Sequence, residues 1–222
     1  MTDLVVRKLL IDLTAPFPAR WNGGDAFRSA FFNALSMSFP VGEQYFMDSV
    51  RAGLKSLPKT DQDRLGAEVQ GFVGQEATHR RIHALFNGHL EKLGFDNPLE
   101  RRAPQRLQDN AHRDVRIHVA ATAATEHLTA VFAEWMPSHP EALAGAEHRL
   151  QTLWLWLWLW HSAEESEHRS TAVDIYHALR GNYARWKAYE APDFHPRQQD
   201  DTLSRNWLQR NSDQFSLVGQ KA

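Results

Sequence analysis

Four helical stretches of this 222-residue chain each carry an acid inside an apolar stripe, and no other feature restricts the fold so strongly. In the first, the face formed by Phe39, Phe46, Met47 and Val50 contains Glu43. In the second, the stripe Leu65, Val69, Phe72, Phe86 and Leu90 contains Glu76, His79 and His83. In the third, Val115, Val119, Thr122 and Ala130 lie with Glu126. In the fourth, Trp154, Trp158, Ala172, Ile175 and Leu179 lie with His161, Glu165 and His168. A helix buries its apolar face, and a carboxylate buried there without a partner is costly enough to give up its charge. Helices built this way must face one another and neutralise their acids together. The expected fold is an all-α four-helix bundle with a positive charge inside.

Local signals place the helices. Val5 and Val6, then Pro16 and Pro18, predict an extended N-terminal arm that packs on the outside. Asp25 is an N-cap for the first helix, which Pro40 should kink or interrupt. After the turn at Pro58, Thr60 and Asp63 form a capping pair for a long second helix that Gly94 ends. A loop through Asn97, Pro98 and Pro104 leads to a third helix, Val115 to Trp135, stopped by Pro137. A fourth run reaches from Pro140 to Arg180, with a break expected near Gly145. Within it the Leu153 to Trp160 alternation reads as helix. Both residue types are apolar, so period two carries little facial information, and no turn signal separates the run from the helix that follows. Short helices are expected at Tyr183 to Tyr189 and Thr202 to Gln209, around a linker from Pro192 to Asp201. Length and pattern give one domain over residues 1–222, its bundle at about 25–181 and a C-terminal extension at about 182–222.

Composition narrows the chemistry. There is no cysteine, so thiolate nucleophiles, zinc ribbons and iron–sulfur clusters are excluded and His, Asp and Glu remain as ligands. A net charge of −2 gives no field for gathering nucleic acid. No signal peptide opens the chain, and the Leu–Trp run is far shorter than the roughly 20 residues of a membrane span, so a cytoplasmic location is expected. The Trp excess makes a homodimer conceivable.

Arg80, Arg81 and Arg169 fall beside the stripes, which leaves bound cations as the simplest neutralising agents; two divalent ions would balance four carboxylates. Glu76/His79 and Glu165/His168 are both Glu-x-x-His, a spacing that puts a carboxylate and an imidazole on one helical face. With 13 Glu and 12 His, chance gives about 0.7 such pairs, so order matters more than number. One element falls on each helix, Glu43, Glu76-x-x-His79, Glu126, Glu165-x-x-His168, in the pattern of di-iron and di-manganese carboxylate bundles.

The segments FPVGEQYF, FVGQEATHRRIH, EHLTA and WHSAEESEHRSTAVDIY resemble a bacterial ferritin-like family labelled predicted metal-dependent hydrolase, over about Phe39 to Tyr176. The ligand pattern is similar to the di-iron carboxylate oxygenases, and His161-x-x-x-Glu165-x-x-His168 resembles the extra-histidine pattern of the arylamine N-oxygenases. That resemblance implies seven ligands: Glu43, Glu76, His79, Glu126, His161, Glu165 and His168, with Glu126 or Glu165 bridging. Two irons are the expected cofactor, with manganese, a mixed manganese–iron pair or zinc as alternatives.

Around this set, His83 is either an eighth ligand or a hydrogen-bonding relay behind the site. Glu164 replaces Glu165 if the helix is rotated; otherwise it and Glu167 are surface acids. Gln75 supports a ligand, and Thr129 either reaches the site or bonds its own helix. His127 points away. Phe39, Phe46, Phe72 and Trp158 are the expected walls of a pocket for a small apolar or aromatic substrate. The functions to be distinguished are an O2-activating oxidase or oxygenase fed by an electron donor, a two-metal hydrolase, and an iron-binding or purely structural bundle.

Overall fold

The computed structural model describes residues 4–9, 16–143, 145, 148–181 and 215–217. In chain order these form strand β1 (Arg7–Leu9), helices α1 (Ala26–Lys55), α2 (Lys59–Lys92), α3 (Pro98–Asn110) and α4 (Val115–Ser138), a 3-10 turn at Pro140–Ala142, helices α5 (His148–His168) and α6 (Thr171–Ala178), and strand β2 (Phe215–Leu217). The protein is an all-α bundle. Helix α1 packs on α2 and α4, and α4 packs on α5 and α6. None of the helices described is long and apolar enough to cross a membrane.

Asp25 caps α1 by accepting from the Arg28 N–H, as its position predicts. Helix α1 then runs unbroken through Pro40. Pro40 lacks the N–H that would bond the Ser36 carbonyl, and Asn87 of α2 supplies one instead, its Nδ2 donating to that carbonyl at 3.1 Å. The Thr60–Asp63 capping pair does not form. Pro58 is the N-cap of α2 without a side-chain bond, and Asp63 pairs with Lys59. Residues 98–110, expected as loop, are helix α3, because Asn97 caps Glu100 and Pro98 opens the first turn, where its missing N–H costs nothing. Pro137 lies inside α4 rather than ending it. The Leu–Trp run is helical, within α5. A second break, at Arg169–Ser170, separates α5 from α6. The expected helices at 183–189 and 202–209 and the linker between them lie outside the described residues, as do the side chains of Trp154 and Trp156.

The arm lies on the outside of the bundle, as expected, but it is anchored there. Its Leu9 is buried, and β1 pairs antiparallel with β2, Lys8 opposite Ser216. It beds on α2 at two glycines: a Cβ on Gly71 would stand 2.5 Å from the Leu4 Cβ, and one on Gly74 would meet Val6.

Two apolar clusters fill the bundle. One gathers Phe32, Phe39, Phe86, Trp158 and Trp160; the other gathers Phe46, Val50, Phe72, Val119 and Ile175. The charged stripe residues form the belt between them.

Candidate metal centre

All seven expected ligands are buried and meet in this belt. Glu43 comes from α1, Glu76 and His79 from α2, Glu126 from α4, and His161, Glu165 and His168 from α5. Their donor atoms form three groups, each within 4.8 Å: Glu43 with His79 and His161, Glu76 with Glu126 and His168, and Glu76 with His79 and Glu165. His168 Nε2 lies 3.0 Å from Glu76, 3.2 Å from Glu126 and 3.6 Å from Glu165. Two ligands held about 2.1 Å from one ion stand about 3 to 4 Å apart, so these separations suit a shared cation. Glu165 also reaches His161 at 2.8 Å and His79 at 3.5 Å. Glu165 and Glu76 therefore stand between the donor sets, whereas Glu126 belongs to one set alone.

The hydrogen bonds fix which nitrogen faces the belt. Asn87 Oδ1 accepts from the Ser36 hydroxyl at 2.9 Å, so Ser36 Oγ accepts from His83 Nδ1 at 2.8 Å. His83 Nε2 is left as acceptor for His161 Nδ1 at 2.8 Å. His161 must then turn a bare Nε2 lone pair towards the Glu165 oxygen 2.8 Å away. A proton on Nε2 is disfavoured, because burial, His79 and His168 hold the His161 imidazole down at about 4. A lone pair facing a carboxylate calls for a cation between them. His168 is oriented in the same way: Gln75 Nε2 donates to the Val5 carbonyl and to Glu167, so its Oε1 accepts from His168 Nδ1 and leaves Nε2 towards the acids.

Oxygen atoms of Glu43, Glu76 and Glu126, with His79 Nδ1 and His168 Nε2, are buried without a hydrogen-bond partner among the described residues. Orphaned donors of this kind are rare in a folded protein and fit a bound metal ion. Without metal, burial and the neighbouring Glu76 push Glu43 well above the usual carboxylate range. Burial together with Glu165 and Glu76 pushes Glu126 up to about 8. For His79, burial opposes protonation but Glu164 and Glu165 outweigh it and raise the imidazole to about 10.

A family model described as predicted metal-dependent hydrolase matches residues 5–187. The chain belongs to this family. Neither a curated protein nor a solved structure matches it. The region that matches the predicted metal-dependent hydrolase model begins in the arm, and the arm is part of the site. Arg7 Nη1 lies 3.2 Å from Glu164 and 2.8 Å from Glu167, and Nη2 adds a second bond to Glu167. Glu164 is not a surface acid: it is fully buried and holds His79 Nε2 at 2.9 Å, which turns His79 Nδ1 into the belt. Glu167 is half-buried, bonded to Arg7 and Gln75. Thr129 bonds its own helix at Glu126 O, and His83 stands behind His161.

Arg7, Ser36 and Asn87 are thus the supporting residues that stripe patterns passed over, whereas Glu164 was a candidate ligand and instead supports His79. Replacing Arg7 by methionine takes the arginine partner from the buried Glu164 and both its bonds from Glu167, leaving Glu164 with His79. The expected cost is about 3 kcal/mol of stability, with metal affinity falling about 10- to 100-fold as His79 loses its orientation. Metal titration calorimetry checks this; unchanged affinity would remove the arm from the site.

A cavity of about 500 Å³ adjoins the centre, with Phe31, Phe39, Phe46, Phe132 and Trp158 among its walls and His161 and Glu165 the site residues that reach it. Phe72 does not line it; its ring packs edge-on against His168, 4.9 Å between centroids.

Proposed function

We propose that the centre holds two iron ions and activates O2 to oxidise a small apolar or aromatic molecule in the adjoining cavity. The observation that carries this reading is the setting of the donors: seven buried imidazoles and carboxylates, of which His161 and Glu165 reach a cavity walled by phenylalanine and tryptophan. Glu43, Glu76, His79, Glu126, His161, Glu165 and His168 would hold the ions. Bound iron would supply the redox chemistry that the side chains lack, in a mixed imidazole and carboxylate site suited to it. Phe39, Phe46 and Trp158 exclude water and hold the apolar substrate beside His161 and Glu165. His83 and Ser36 keep the His161 Nδ1 proton in place, so its Nε2 stays available as a donor. Electrons beyond those the substrate yields come from a separate donor.

The family description favours a second reading, a two-metal hydrolase that activates water between the ions. Such chemistry needs a wet, polar approach and a free proton carrier. Glu164, the residue best suited by type, is taken up by His79 and Arg7 and does not line the cavity.

Elemental analysis of protein grown with added iron, followed by reduction and O2 exposure, separates the two. Two irons per chain and rapid O2 consumption are expected. Zinc or manganese with ester turnover and no response to O2 would reverse the assignment.

A further inference from the structure

Helix α3 poses a question that the metal centre does not answer. It is a regular, capped helix, yet none of its residues is buried. Its apolar stripe, Leu99, Ala103 and Leu107, faces a groove of about 580 Å³ between α3, α1 and the start of α4 instead of packed neighbours. Arg102, Arg106 and Arg113 line the same groove, and no carboxylate among the described residues does. The acids nearby are engaged elsewhere: Asp114 holds Arg116, Asp109 holds Gln105, and Asp96 holds Arg101. Tyr45 and His118, 3.0 Å apart, complete a polar wall.

This groove adjoins the cavity at the metal centre across one turn of α1. Ser38 and Gly42 of α1 line both, and Phe31 and Phe132 are shared between the central cavity and a third apolar pocket of about 460 Å³ that contains Phe27 and Trp135. The three lie in a row along α1 from Phe27 to Tyr45, about 27 Å of helix. One end is mainly aromatic, with Arg28 and Glu141 at its edge, the other carries three guanidinium groups and no carboxylate among the described residues, and His161 and Glu165 flank the middle.

We infer that the substrate is an elongated amphiphile with an anionic headgroup, its apolar chain in the aromatic cavity and its headgroup under α3 on Arg102, Arg106 and Arg113. The inference rests on the proposed reading of the centre for its chemistry, but not for its binding. Guanidinium groups pair with carboxylate or phosphate in forked geometry, and three of them on one groove act on the same headgroup. The stripe of α3 then has an apolar occupant to cover.

Calorimetric titration of the full chain, with and without metal, by decanoate, decyl phosphate and decanol tests this. Decanoate or decyl phosphate should bind at least tenfold more tightly than decanol, and the tighter of the two identifies the headgroup. The double variant Arg102→Glu, Arg106→Glu should abolish that preference and leave decanol binding and the melting temperature unchanged, since both arginines are exposed. Equal binding of all three, no binding of any, or a preference that survives the double charge reversal would overturn it. Protein that consumes O2 with iron but shows no headgroup preference loses this inference alone. Protein that shows the preference but takes up no iron loses the proposed centre and keeps the groove.

Discussion

Replacing Glu43 by leucine is expected to raise the melting temperature of the metal-free protein while abolishing metal-dependent turnover. Glu43 is fully buried, both its carboxylate oxygens lack hydrogen-bond partners among the described residues, and burial pushes its carboxyl well above the usual range. An apolar side chain of similar size, packed between Phe39 and Phe46, removes an unsatisfied buried group whose cost is about 1–3 kcal/mol, or about 2–4 °C per kcal/mol in a chain of this length. The same change strips one donor from the group formed with His79 and His161. Metal affinity and turnover should each fall at least about 100-fold. Scanning calorimetry and metal analysis of one preparation check both halves. A variant that melts higher and keeps every activity would make the acid belt a structural accident.

Much of that belt was legible in the sequence. A carboxylate at an apolar position of a periodic stripe is a local signal, and four of them on four helices leave few ways to pack. The supporting residues were not legible in the same way. Arg7 reaches Glu164 and Glu167 across more than 150 residues of chain, from an arm whose valines and prolines read as an outer strap. Glu164 was hidden by a different assumption, that an acid one step off the stripe faces water. That assumption fails on α5, where Trp158, Trp160, Ala163, Glu164 and Ser166 are buried on more than one side of the helix. Helix α3 escaped because both its prolines read as breakers: Pro98 in fact opens the first turn, where a helix tolerates it, and Pro104 lies inside the helix.

The second large effect is on pH. Between pH 7 and 8 an unfolded chain has its carboxylates ionised and its imidazoles mostly neutral. The folded protein without metal keeps protons on Glu126, raised to about 8, and on His79, raised to about 10. Both groups have folded values above their unfolded ones, so the folded state binds more protons and stability falls as pH rises through this window. The histidines that burial keeps neutral, His83, His127 and His161, act with the opposite sign and mainly below pH 7. The expected slope is about 1.4 kcal/mol per pH unit for each extra proton. With ions bound those protons are displaced, so the melting temperature of the metal-loaded protein should stay level and the gap between the two forms should widen towards pH 8. Melting curves of both forms at pH 7.0, 7.5 and 8.0 measure the gap, and a metal-free protein whose stability rises with pH would contradict the proton-for-metal exchange.

The pairing of β1 with β2 ties Arg7, which steadies the centre through Glu164, to a strand near residue 216. During translation that strand leaves the ribosome roughly 200 residues after the arm does, a delay of roughly 10 to 40 seconds at ordinary elongation rates. All seven candidate ligands are synthesised inside that interval, before the clasp that steadies them exists. Ions offered to a chain that does not yet carry β2 therefore meet donors whose orientation is not yet secured.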